Sequence, residues 1–296
     1  MKITQVAKII GGQDGAIWKD ELFRFDDWGH GVVYNLKELK KDTIVELSPV
    51  AEFVLDKADL IAPHSNAVFF GTEYFDVSDE YPLLYSNVYN NYEGCEEKLV
   101  GVCCVYRIER YGKDYKTTLV QLIKIGFHEE APLWKLSDER HGVRRWGNFV
   151  LDRETGELYV FVMKDIENGT RYFKFKCPSV FEGERDPVYN VKKVVLEKSD
   201  LIEYFDCKYH HYIQGATVHE GLIYSAEGFL QDEVNRPAIR IIDPRRKEEI
   251  CYLDLIGNGY KTEPEIIDFY NGKCIYGDVD GNLYKINFDI NEREKL

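Results

Sequence analysis

The chain has 296 residues, 44% of them hydrophobic and 14% aromatic, which is enough for a sizeable core and argues against a disordered chain. Its 38 Lys and Arg against 52 Asp and Glu leave a formal charge of −14, which excludes non-specific binding to a phosphate backbone and removes nucleic acid as an expected partner. No apolar run approaches a membrane span, the stretch 99–106 being among the longest, and the abundance of Tyr and Phe beside only two Met marks a strand-rich chain.

The first residues, MKITQVAKIIGG, lack the unbroken apolar core of a signal peptide, so a cytoplasmic location is expected. Residues 2–10 read as one strand carrying Ile3, Val6 and Ile9, ended by Gly11-Gly12. Four short strands follow at 14–19, 21–26, 30–36 and 43–47, with Leu22-Phe23-Arg24-Phe25 patterned as a half-buried strand. The stretch 49–62 reads as a helical turn or two, stopped by Pro63. A second group of four lies at 66–70, 82–88, 99–110 and 115–125, before a polar linker to residue 145 that carries Trp134. Cys103 and Cys104 are neighbours in that group and should face opposite sides of the sheet. The chain's seven cysteines contain no Cys-x-x-Cys pair and read as free thiols in a reducing compartment.

The third group is 146–152, 157–163, 170–177 and 188–196. The fourth is 214–218, 222–226, 238–243 and 249–254. The fifth, 265–269, 273–276 and 282–288, stops after three strands. Two hairpins share one phrase: an apolar strand, a turn at Glu220-Gly221 or Asn271-Gly272, and a second strand centred on Ile-Tyr. Repetition at this period marks an array. Four groups of four, one of three and a spare first strand close as an all-β, five-bladed β-propeller in a single domain, 1–296. The N-terminal strand completes the last blade and removes a free sheet edge. A six-bladed ring and a double-sheet sandwich are the alternative arrangements.

In such a ring the innermost strands line a central channel, and their starting ends share one face. Those starts bring together Asp14, His64, Asn66, Arg145, Trp146, Asn148, Gln214, Glu263 and Glu265 as candidate ligand-binding residues. Structure alone would be satisfied there by small or apolar residues, yet every blade supplies a polar group. Loops expected on the same face add Trp28, Tyr89-Asn90-Asn91-Tyr92, Trp134, His210-His211-Tyr212 and Glu227-Gly228-Phe229. Aromatic faces beside amides and carboxylates suit a sugar, whose C–H face stacks while its hydroxyls bond sideways.

Other motifs read as structural. Asp278-Val-Asp280-Gly-Asn282 opens like a calcium loop, but Leu283 stands where Gly belongs and Asp289 replaces the closing Glu, so an Asp-Gly hairpin turn is the better reading. His210 and His211 would face opposite ways on a strand, and no metal or cofactor is expected.

Gln214-Gly215, the run Ile239-Arg-Ile-Ile-Asp243-Pro and Glu263-Pro264-Glu265 followed by Gly272 resemble the propellers of some phage receptor-binding and teichoic-acid-associated proteins. Those carry a Gln-Gly/Ser strand start and a Glu-Pro-Glu-Gly run in consecutive blades; Ile266 here stands in place of that Gly. The resemblance covers about 75 residues and implies a five-bladed ring that recognises glycans or polyol-phosphate polymers. Three functions stay open on the sequence: a binder of a carbohydrate-like ligand at the channel mouth, a glycan hydrolase or lyase using Glu263 and Glu265, and a scaffold for another protein. Glu265 and Gln214 are expected to matter more for binding than for stability.

Overall fold

The structure, a computed structural model, describes residues 2–40, 43–89, 99, 101–127, 148–164, 169–207, 212–229 and 236–288. The chain opens with β1 (Lys2–Lys8). The first blade follows with β2 (Gly15–Trp18), β3 (Glu21–Phe25) and β4 (His30–Asn35); β5 (Val45–Glu46) then leaves it before β6 (Ala51–Val54) returns to its outer edge. One helical turn, α1 (Ala58–Ile61), leads to the second blade, β7 (Val68–Phe70), β8 (Leu84–Asn87), β9 (Val102–Tyr111) and β10 (Asp114–Ile125). The third holds β11 (Asn148–Asp152), β12 (Glu157–Lys164) and β13 (Gly169–Lys176); β14 (Glu184–Arg185) and β15 (Lys192–Leu196) leave it before β16 (Glu203–Cys207) completes it. The fourth is β17 (Ile213–His219), β18 (Leu222–Glu227), β19 (Ala238–Asp243) and β20 (Glu248–Asp254), and the fifth β21 (Pro264–Tyr270), β22 (Lys273–Asp278) and β23 (Asn282–Asn287).

The fifth blade is completed by β1, antiparallel to β23 from Lys2 opposite Asn287 to Lys8 opposite Asn282, with a bulge at Val6. The five sheets form a five-bladed β-propeller, as the strand arithmetic requires. Both repeated hairpins turn through two residues of positive φ, Glu220-Gly221 and Asn271-Gly272, the geometry that matches the twist of the flanking strands.

Two of the expected fourth strands are corrected. Residues 43–47 and 188–196 are not the outer strands of their own blades. Val45–Glu46 lies parallel to β1, and Lys192–Leu196 parallel to β10. In both cases the chain crosses to the outer edge of the preceding blade before its own fourth strand forms. The outer strand of the first blade is Ala51–Val54, inside the stretch read as helical; only Ala58–Ile61 forms a turn of helix there. Its burial alternates, Phe53 in and Glu52 and Val54 out, and Tyr204, Phe205, Asp206 and Cys207 repeat that pattern in β16. The period of two identifies a strand but not the edge it joins.

The core is five clusters, one at each junction between blades. Phe23 and Phe25 of the first blade pack on Val68, Phe70 and Tyr106 of the second. Tyr85 and Cys103 meet Phe149 and Phe173 across the next junction. Val150, Phe161 and Tyr172 meet Ala216 and Ile223; Tyr224 and Ile239 meet Ile267 and Tyr276; Ile266 and Leu283 meet Ile17 and Leu22, which closes the ring. Alternation supplies both faces of a strand: Leu22 points to the fifth blade and Phe23 to the second. Cys103 and Cys104 fall in different clusters for the same reason, and the six described cysteines are free thiols.

Buried carboxylates tie the inner strands together. Asp268 on β21 accepts from the Ile17 N–H at 2.7 Å and the Thr217 hydroxyl at 3.1 Å, linking the fifth blade to the first and fourth, and from the Phe269 N–H at 2.8 Å. Asp268→Ala leaves a buried N–H unpartnered, so a loss of about 2–4 kcal/mol is expected. Urea unfolding measures it; a change within a few tenths would show that the ring closes without this tie.

Asp278 is held as a turn residue, accepting from the Asn282 N–H at 2.8 Å and from the Tyr284 hydroxyl at 3.3 Å ahead of Gly281 at φ +82. No helix among the described residues is long and apolar enough to cross a membrane.

Candidate functional site

The five inner strands, β2, β7, β11, β17 and β21, stand side by side around the axis. At their starting ends lies a pocket of about 330 Å³. It is lined by Gln13 of the first blade, His64 and Asn66 ahead of the second, Asn148 of the third, Gln214 of the fourth and Glu263 of the fifth. Tyr89, Phe161, Tyr212, Ile213 and Phe229 supply its apolar wall. One strand start from each blade therefore contributes a polar side chain to a single concavity.

Local geometry presents these groups. The Gln13 N–H donates to the Phe25 carbonyl at 2.9 Å, and Glu263 accepts the Val279 N–H on its main chain at 2.9 Å. The Gln214 side-chain amide donates to the Glu263 carboxylate, joining the fourth and fifth blades at the mouth. Asn148 accepts from the Asn87 amide at 3.3 Å. Tyr212 and Phe229 meet edge to face at 4.9 Å between centroids, held by the Gly228 N–H bonding to the Tyr212 carbonyl at 2.6 Å. His64 sits at φ +49, a conformation costing about 1–3 kcal/mol in a non-glycine residue. Its main-chain N–H bonds the Asp27 carbonyl at 3.0 Å, its Nε2 lies 3.6 Å from the Asp27 carboxylate, and its ring meets Tyr89 edge-on. Burial lowers the imidazole pKa, with Asp27 opposing the shift, so the ring is held towards its neutral form.

Of the sequence candidates, His64, Asn66, Asn148, Gln214 and Glu263 are brought together as pocket lining. Asp14 and Glu265 lie behind the wall, both fully buried. Arg145 and Trp146 fall outside the described residues, as do Asn90, Asn91, Tyr92, Trp134, His210 and His211. Asp14 Oδ2 accepts from the Val68 N–H at 2.8 Å and so ties the first blade to the second. Gly215 passes close beside this pair: a Cβ there would stand 2.0 Å from the Glu265 carbonyl oxygen and 2.9 Å from Asp14 Oδ1. Only glycine permits that approach.

Gln13, Phe161 and Ile213 complete the pocket without having been singled out. Gln13 adjoins Asp14 at the same strand start, and alternation turns the two to opposite sides, but only the burial of Asp14 shows that Gln13 is the one facing out. Phe161 belongs to a second strand and carried no signal. Trp28 is more than half exposed and takes no part in the lining. Glu227 is buried against Arg240 at 3.0 Å and Ser225 at 2.7 Å, a structural pairing.

The carboxyls at this end of the channel are shifted. Glu265 is held well above its ordinary pKa, first by burial and then by the charges of Glu263, Asp14 and Asp27, with Arg24 opposing. Burial also raises Asp14, against hydrogen bonds from Val68 and Gly15, and raises Glu263, against the bond from Gln214. Among the described residues no group of three or more His, Cys, Asp or Glu is arranged to hold a metal ion. A second hollow of about 430 Å³ lies between the first two blades. Its charges largely satisfy one another, Lys37 with Asp20 at 2.9 Å and Arg110 with Glu21 at 3.0 Å and Glu80 at 2.7 Å.

Fold and site define a five-bladed propeller with a ligand-sized pocket over its channel mouth. No protein family and no curated protein matches the chain in sequence. Among solved structures it is similar to an exo-beta-1,3-galactanase from Phanerochaete chrysosporium, determined with beta-1,3-galactotriose, at a TM-score of 0.48 and 10% identity over 98% of this chain and 66% of that one. It is also similar to BamB from Moraxella catarrhalis, at 0.33 and 9% over 96% and 62%. The chain thus spans just under two thirds of the length of each. At these values neither likeness bears on function, and the fold rests on the sheet topology itself.

Proposed function

We propose that the chain binds a carbohydrate-like small ligand at the channel mouth. The observation that carries this reading is the convergence of Gln13, His64, Asn66, Asn148, Gln214 and Glu263, from all five blades, on one pocket walled by four aromatic rings. Side-chain amides offer both donors and acceptors, which matches hydroxyls, and rings beside them suit the C–H face of a sugar. The volume, about 330 Å³, is that of a small-molecule site. The resemblance of the last third of the chain to phage receptor-binding and teichoic-acid-associated propellers implies glycans or polyol-phosphate polymers, a range that includes this class of ligand.

Cleavage by Glu263 and Glu265 is less well supported, because Glu265 has no exposed surface and a glycosidic oxygen would not reach it. A protein scaffold would need a broad face rather than a concave pocket.

A glycan array with the full chain tests the proposal, followed by titration of any hit against Gln214→Ala. Saturable binding is expected, weakened at least tenfold in the variant, about 1.4 kcal/mol. The thermal midpoint should stay close to wild type. An array without saturable signal sinks the reading.

A further inference from the structure

At and behind the pocket wall lie buried acceptors without hydrogen-bond partners, near an Arg24 Nε that is likewise unpartnered among the described residues. Behind Gln13 and Glu263 stand Asp14 and Glu265, each with no exposed surface. Among the described residues, both carboxylate oxygens of Glu265, Oδ1 of Asp14 and Oε1 of Gln13 have no hydrogen-bond partner. An interior carboxylate is strongly unfavourable unless it is protonated or paired, so a cation brought near would favour the ionised form of these groups.

The groups that face Glu265 sharpen the point. Asp14 of the first blade, Asp27 of the loop after β3 and Glu263 at the start of β21 all act on it with like charge, and Arg24 is the cation set against them. The Arg24 guanidinium is nearly buried in the space that Gly12 leaves, where a Cβ would stand 1.1 Å from Nη2. His64 lies beside Asp27, its ring held towards the neutral form. Three like charges therefore crowd Glu265, with Arg24 as the cation opposing them.

We infer that the ligand carries a protonated amine: it is an amino sugar, or a short chain of amino sugars, with its ammonium seated at Gln13 and Glu263 over the buried Asp14 and Glu265. The inference rests on the carbohydrate-binding reading above and narrows it. An ammonium brings three donors and no acceptor, which suits Oε1 of Gln13 and the Glu263 carboxylate in the lining, while Asp14 and Glu265 act on it only through their charge from behind the wall. The rings of Tyr89, Phe161, Tyr212 and Phe229 add a wall that favours a cation over an anion. A phosphate-bearing polymer would meet like charge at the same place. A bare metal ion fits less well, since the described acidic and imidazole groups form no three-ligand cluster.

The same crowding supplies a second readout. An ammonium favours the ionised form of the carboxyls it approaches, and Glu265 is held towards its protonated form in its absence. Seating the amine should therefore release a proton.

The test is calorimetric titration of the full chain with a fully deacetylated glucosamine tetramer and with its N-acetylated counterpart, which share one backbone and differ in the amine. The pH is set slightly acidic so that the amines are protonated, and two buffers of different ionisation enthalpy report proton release. The deacetylated tetramer is expected to bind at least tenfold tighter, with proton release and a marked loss in high salt, and Glu263→Gln should remove most of the preference. Equal or tighter binding of the acetylated tetramer overturns the inference and leaves the carbohydrate site standing. If neither tetramer binds while neutral glycans on the array do, the inference again fails alone. If the array is silent as well, both fail.

Discussion

Removal of residues 1–10 is expected to abolish cooperative folding, although an N-terminal segment is normally dispensable. β1 pairs with β23 along its length and carries β5 on its other edge, so one deletion opens two strand edges. Ala7 is fully buried and Ile9 nearly so, in the cluster that holds Ile266, Ile275 and Leu283 of the fifth blade against Ile17 and Leu22 of the first. The Ile9 N–H bonds the Gly281 carbonyl at 2.8 Å, and the Tyr260 hydroxyl bonds the Ile3 carbonyl at 3.2 Å. Burying Ile9 alone contributes about 1.5–3 kcal/mol. With the lost ladder the total approaches the 5–15 kcal/mol or so that stabilises an ordinary domain. Urea unfolding of the truncated chain should show no cooperative transition at the wild-type midpoint. An unchanged midpoint and slope would reject the closure.

Glu265→Gln is expected to make the protein more stable than wild type at neutral pH and to flatten its dependence on pH. The Glu265 carboxyl is raised well above its ordinary 4.5, by burial first and by Glu263, Asp14 and Asp27 next. The folded chain then holds a proton that the unfolded chain releases once the pH passes 4.5. The sign follows: stability falls as pH rises from the unfolded pKa towards the folded one. The slope reaches about 1.4 kcal/mol per pH unit while the folded carboxyl stays protonated. Glutamine has the shape of the protonated acid and nothing to ionise. Above 4.5 the variant should therefore gain on the wild type as the pH rises, until the folded Glu265 carboxyl itself ionises. Asp14, raised in the same direction, leaves a residual slope of the same sign in both proteins. Urea midpoints of the pair, taken from pH 5 to pH 7, decide this. Parallel curves would mean that Glu265 is ionised in the folded state or that its burial is relieved.

The blade number and the closing role of the first strand were legible in the sequence, because they depend on local patterns, whereas β6, β14 and β16 were not expected. Apolar or alternating runs mark the strands, Gly at positive φ marks hairpins such as those at Gly221 and Gly272, and three strands at the end beside one at the start require each other. The polar groups at the inner strand starts were legible for the same reason, since position in a repeat is position in space. Which strand edge each segment joins was not legible. Val45–Glu46 and Lys192–Leu196 have the pattern of outer strands, and only the packed ring shows them bonded to the preceding blade. Nor could the sequence separate Gln13 from Asp14 or Glu263 from Glu265. Each pair shares a strand start, yet one member lines the pocket and the other is sealed behind it. That division is made by tertiary contacts: the Val68 N–H that claims Asp14, the close pass of Gly215, and the neighbouring blades that exclude water from Glu265.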